Sequence, residues 1–120
     1  MKAGDVMAEA SNEFCFVYST YPDLDTARAA ARLAVDQKIA ACVNIYPKMT
    51  SFYMWQGKLE ESAEYAAFFK TRRALVDRAI AALWSIHTYE LPCFVVLPLE
   101  GGSNDYLAWV RQQTEQPATV

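Results

Sequence analysis

His87 is the single histidine of this chain, and Tyr89 and Cys93 follow it closely. Imidazole is a common metal ligand and a general acid–base group, so chemistry is first sought here. A plainer role also fits, because His87 ends a predicted helix, where the dipole favours a cation or a loop hydrogen bond. Cys15, Cys42 and Cys93 are each flanked by apolar residues and are expected to lie in strands. Buried reduced thiols are their default reading; metal ligation or redox sensing is the sharper one. Soft Cu(I) favours a Cys/His set and Zn accepts one, yet no Cys-x-x-Cys or His-x-x-x-His spacing occurs. A thiol enzyme built on Cys42 or Cys93 with His87 requires a lowered thiol pKa and partial exposure. No nucleophile elbow or dinucleotide fingerprint supports one, and Glu100-Gly101-Gly102-Ser103 lacks the lysine of a phosphate loop. The chain is read as a non-enzyme.

Glu60, Glu61 and Glu64 lie on one extended segment, with Glu60 and Glu64 on one face and Glu61 on the other. Most such carboxylates only keep a strand soluble. Tyr53, Trp55, Tyr89 and Trp109 suit an oligomer interface, where Tyr and Trp are enriched, or a small-molecule pocket.

These residues are positioned by a simple order of elements. Phe14 to Thr20 reads as a first strand, bounded by Pro22-Asp23. Leu24, Ala27, Ala30, Ala31 and Ala34 follow helical spacing, with Asp23 as cap. Ala40 to Trp55 and Lys58 to Thr71 form the arms of a long hairpin around Gln56-Gly57. A second helix is expected from Arg73 to Ile86, then a loop through Pro92. Cys93 to Leu97 reads as a strand apolar enough for burial on both faces. A last helix runs from Asp105 to Gln113. The order predicts an α+β, ferredoxin-like βαββαβ sandwich with a long hairpin and an extra C-terminal helix. Its helix-free face is expected to carry Ile45, Tyr65 and Ala67. Residues 1–12 and 114–120 are read as flexible tails around a single domain at 13–113.

A hairpin arm of about 13 residues spans roughly 43 Å, more than the body of a domain this size, about 35 Å across. Part of the hairpin, with Phe52, Tyr53, Met54, Trp55 and Leu59, should project and be covered by copies of the chain. The hydrophobic fraction of 53% excludes disorder and leans towards an oligomer. A net charge of −3 and scattered basic residues argue against nucleic acid. No apolar run reaches membrane-spanning length and no secretory leader is evident. The expectation is a cytoplasmic protein.

The run Ala40-Ala41-Cys42-Val43-Asn44, Pro47, and Ser51-Phe52-Tyr53-Met54-Trp55-Gln56-Gly57-Lys58-Leu59 resembles the CutA divalent-cation tolerance proteins. Glu64, Lys70-Thr71, His87 with Tyr89, Pro92 and Tyr106-Leu107-Ala108-Trp109 extend the likeness over about residues 14 to 110. The resemblance implies a homotrimer similar in architecture to PII-type signalling proteins. It further implies a divalent metal, copper first, with no organic cofactor. Cys42, Glu64, His87 and Cys93 are the implied metal ligands. Asn44, Ser51, Tyr53, Trp55, Lys70, Tyr89 and Trp109 would line clefts between subunits, with Glu64 near Lys70. The alternative is a PII-like module binding a small molecule or a protein partner in the same clefts. Two positions depart from the family pattern: Thr88 stands where a proline is usual, and Cys93 where a glutamate is usual. A thiol there tilts a site towards soft metals.

Overall fold

The computed structural model describes residues 12–115. Strand β1 (Phe14–Tyr21) leads into helix α1 (Leu24–Asp36), which starts where the Asp23 carboxylate accepts from the Thr26 N–H at 2.8 Å. Strands β2 (Cys42–Ile45), β3 (Met49–Trp55) and β4 (Lys58–Arg72) follow. A 3₁₀ turn (Arg73–Leu75) opens α2 (Val76–Ile86), and β5 (Phe94–Pro98) and α3 (Asn104–Gln113) complete the chain. The sheet is antiparallel in the order β2-β4-β1-β5, with β3 continuing beyond β2 along the same edge of β4. This is the expected ferredoxin-like arrangement. No helix among the described residues is long and apolar enough to cross a membrane.

Helices α1 and α2 cover the face of the sheet that carries Val17, Tyr21, Ala67 and Phe69. Ala27, Ala30 and Ala34 are the buried stripe of α1, and their small side chains let its backbone approach the strands closely. Ile45 and Tyr65 pack into this same core. The expectation that they and Ala67 line the helix-free face is therefore wrong by one position of the strand period, which sends every side chain to the other side. The opposite face carries Phe16, Tyr18, Tyr46 and Phe68, whose rings meet around Phe68 at centroid distances of 5.1–6.2 Å. Helix α3 covers one end of that face, seating Leu107 and Val110 against Phe14 and Ala41.

Two further expectations change. β5 is an edge strand that pairs only with β1, and Val95 and Leu97 are exposed, so it is not buried on both faces. Cys93 falls just before it and not inside a strand. Nor does the folded body end at Gln113: Thr114 is fully buried, its hydroxyl accepts from Arg72 Nε at 2.8 Å, and its carbonyl accepts from Arg72 Nη2 at 2.9 Å. Asn12 likewise belongs to the body, its carbonyl accepting from Arg73 Nε. The remainder of the two expected tails, 1–11 and 116–120, lies outside the described residues.

The hairpin projects as its length requires. The extents are 51 × 40 × 21 Å and the radius of gyration is 16.0 Å, against about 13 Å for an average fold of this size. Residues Lys58 to Glu64 of β4 are paired only with β3, and Phe52, Met54 and Leu59 there are 64–70% exposed. The tip is a two-residue turn with positive φ at both Gln56 (51°) and Gly57 (80°), the type I′ geometry that matches strand twist. A Cβ on Gly57 would meet nothing within 4 Å, so replacing it has a purely conformational cost, about 1–2 kcal/mol. Gly57→Ala should therefore speed amide exchange in the β3–β4 arms about 5- to 30-fold. Gly102→Ala, whose Cβ would sit in ordinary contact 3.6 Å from Leu107, should leave exchange unchanged.

Candidate functional site

A single irregularity in the hairpin builds the site. β2 pairs with β4 in the register Ile45↔Ala67, whereas β3 pairs in the register Met49↔Glu64. Three residues, Tyr46, Pro47 and Lys48, thus oppose two, Tyr65 and Ala66, and the extra residue is a β-bulge. Pro47 has no N–H to give to a ladder, which makes it suited to such a break. The bulge reverses which residues of the arm face which side. Ser51, Tyr53 and Trp55 oppose Ser62, Glu60 and Lys58, and so share a face with Glu64.

That face forms one wall of a cleft of about 660 Å³. Tyr18 and Thr20 from β1 form its floor, and Thr88, Tyr89, Glu90, Leu91 and Cys93 from the loop after α2 form the other wall. Phe52 and Met54 complete it from the hairpin. Glu64 is only 8% exposed, and its Oε2 accepts from the Tyr89 hydroxyl at 2.8 Å. Burial, then the hydrogen bond and charge of Glu64, push the Tyr89 phenol well above the ordinary tyrosine value. Burial, then Glu64, also raise the Cys93 thiol, and burial, then Cys93 and Glu64, raise Tyr18. Each of these groups is thereby held protonated.

His87 holds the loop in place from beneath. Its Nδ1 accepts from the Tyr89 N–H at 3.1 Å, so the ring is the neutral tautomer that donates from Nε2 to the Thr20 carbonyl at 2.8 Å. The ring also stacks on Tyr21 at 4.6 Å, whose phenol is pushed up to about 12 by burial, opposed by Ser19. Both imidazole nitrogens are occupied by backbone, which makes His87 a positioning residue for Tyr89.

The other expected residues lie elsewhere. Cys42 is opposite Lys70 on the same face as Glu64, but about 20 Å of strand separates that pair of positions from Glu64. Within one chain, Glu64 and Lys70 stand at different ends of β4. The Lys70 ammonium instead donates to the Tyr106 hydroxyl at 3.3 Å and lies over the Phe16 and Tyr106 rings. Asn44 is exposed opposite Phe68, and Trp109 is exposed beside Tyr106 on α3. Among the described residues, no three His, Cys, Asp or Glu side chains are gathered closely enough to hold a metal ion. The four expected ligands of one chain therefore do not make a metal centre. Tyr18, Thr20 and Glu90 are lining residues the sequence reading did not single out. The strand period could have found the first two once the face was known.

The family model of the CutA1 divalent ion tolerance protein matches residues 15–113. The chain belongs to the CutA1 family. It is 42% identical over 98 residues to Protein CutA of Homo sapiens, a match that covers 82% of this chain and 55% of that protein. It is 36% identical over 100 residues to the Divalent-cation tolerance protein CutA of Archaeoglobus fulgidus, covering 83% and 97%. The chain spans about half the length of the mammalian relatives it matches. Among solved structures, CutA1 from Oryza sativa superposes with a TM-score of 0.84 at 34% identity, covering 89% of this chain and all of that one. CutA from Xylella fastidiosa gives 0.83 at 34% identity, covering 85% and 98%.

The raised thiols and phenols set an alkaline limit on stability. Cys15, Cys93, Tyr18, Tyr21 and Tyr89 all bind protons more tightly folded than unfolded. Unfolding free energy should thus fall as pH rises above the ordinary thiol value of 9.0 and further above the ordinary phenol value of 10.0. Urea titrations from pH 7 to 11 check this. Tyr89→Phe should flatten part of the fall above pH 10 and, at pH 7, lose about 1.5–3 kcal/mol with the hydrogen bond to a carboxylate.

Proposed function

We propose that the chain works as a homotrimeric binding protein without catalytic activity, and that its part in divalent-cation tolerance runs through the cleft beside Glu64. The observation that carries this reading is a buried carboxylate, anchored on one side by Tyr89, at the wall of a cleft of ligand size. Binding is favoured over catalysis because the cleft offers no activated nucleophile. Its thiol, Cys93, is raised rather than lowered, and the one imidazole is tied to backbone at both nitrogens. In this respect the cleft suits a PII-like signalling module.

The trimer is supported by what one chain leaves uncovered. The outer hairpin is two-stranded and exposes Phe52, Met54 and Leu59, and such a ribbon is marginal alone in water. The Tyr18–Phe68–Tyr46 aromatic cluster lies on the face that α1 and α2 leave open, next to the exposed Val95 and Leu97. Three unpaired cysteines favour a reducing compartment, the cytoplasm.

Copper is the second reading, favoured by one observation. Cys93 and Glu64 are two of the expected ligands and they share the cleft. A copper site there requires further donors from a neighbouring chain, since Cys42 is distant and His87 is engaged.

Native mass spectrometry tests both readings. The expected mass is three times the 13.5 kDa chain, and a monomer would overturn the assembly. If copper is bound, Cys93→Ser and Glu64→Gln should lose it and His87→Ala should keep it. Uptake that depends on His87 and not on Cys93 would move the site.

A further inference from the structure

We infer that the cleft takes a small organic ammonium ion, an assignment that rests on reading this cleft as the binding site. Glu64 is only 8% exposed and its Oε2 is held by Tyr89, while Oε1 takes no hydrogen bond from the described residues. Oε1 is not among the buried polar atoms left without a partner, so it opens to the cleft, where a cation can reach it. No lysine, arginine or histidine is among the residues that line the cleft. The basic side chain expected nearby, Lys70, is committed to Tyr106 about 20 Å along β4. Glu90 adds a second carboxylate to the lining, and the neighbouring thiol and phenols are held neutral. The charge that one chain brings to the cleft is therefore negative.

The remaining lining decides which cation fits. Tyr18, Tyr53, Trp55 and Tyr89 bring aromatic rings to the cleft, and ring faces attract ammonium groups, best when desolvated. A divalent ion such as Ca²⁺ or Mg²⁺ asks instead for six or more oxygen ligands, and the donors present do not gather into such a set. A volume of about 660 Å³ also greatly exceeds that of a single ion and suits an organic molecule. One carboxylate oxygen for the charge and several rings for its methylene or methyl groups is the arrangement that selects an amine over an anion, a neutral alcohol or a hydrated metal.

The experiment follows Trp55 and its surroundings by NMR in the full-length wild-type assembly, titrated with choline and with its uncharged carbon isostere, 3,3-dimethylbutan-1-ol. Glutamate serves as an anionic probe. Choline should bind at least about tenfold tighter than the isostere, and Glu64→Gln, which keeps shape, should remove that preference. The comparison of choline with the isostere needs no variant, so a folding defect in Glu64→Gln leaves it intact. Equal binding of choline and the isostere, or tighter binding of glutamate, at the Trp55 resonances would overturn the ammonium assignment while leaving the cleft as the site. No response to any probe would overturn both. Dissociation of the assembly by Glu64→Gln without choline binding would place the cation on a neighbouring chain's side chain and overturn the free-ligand assignment.

Discussion

β4 is the member on which the rest of the molecule hangs. Its 15 residues exceed what the body of the domain can flank. From Tyr65 to Arg72 it is held by β1 on one edge, and from Ala67 to Lys70 by β2 on the other. From Lys58 to Glu64 only β3 accompanies it. The inner half thus stands in a covered sheet, with Ala67 and Phe69 in the core under α1 and α2. The outer half is a ribbon whose apolar side chains have no cover in the same chain. A strand that is core at one end and interface at the other couples folding of the subunit to its association.

The cleft forms where those halves meet. β1 stops at Tyr21, opposite Tyr65, so Glu64 is the first position of β4 past the end of the flanking strand, on the helix-free face. From the loop after α2, Tyr89 reaches Glu64. His87 fixes that loop through Thr20, the penultimate residue of β1. Neutral imidazole, phenol and carboxylate form a chain from the β1 backbone to the hairpin. Because the loop is tied at both ends of this chain, the carboxylate is held without any basic side chain, and its second oxygen remains available.

The bulge at Tyr46–Lys48 has a consequence out of proportion to its size. In a strictly regular hairpin, Ser51, Tyr53 and Trp55 would face the side of the sheet occupied by the helices. One extra residue turns them to the side of Glu64. Phe52 and Met54, which alternate with these along β3, are left 64% exposed, so the projecting arm carries apolar side chains that the same chain does not cover. That is why the arm serves at once as a cleft wall and as a surface in need of a partner.

Element order, the capped first helix, the alanine stripe and the hairpin turn were legible in the amino-acid sequence, because each is a local pattern of spacing, capping or turn chemistry. So was the excess length of the hairpin, from chain geometry alone, and the resemblance to the CutA proteins over about residues 14 to 110. The facing of the sheet was not legible: Ile45, Tyr65 and Ala67 went to the core and Phe16, Tyr18 and Phe68 to the open side. Either assignment satisfies a two-residue period, and only packing against α1 and α2 selects one. The grouping of site residues was likewise a tertiary matter. Cys42 and Glu64 occupy the same face of the sheet but different ends of β4, and Lys70 was claimed by α3. The hydrogen bonds of His87 to the backbone of Thr20 and Tyr89 were also fixed only in the fold, since Thr20 is distant from it in sequence. A sequence specifies side-chain chemistry and local period; which side chains meet depends on register and loop path, and here one bulged residue and one short strand settled both.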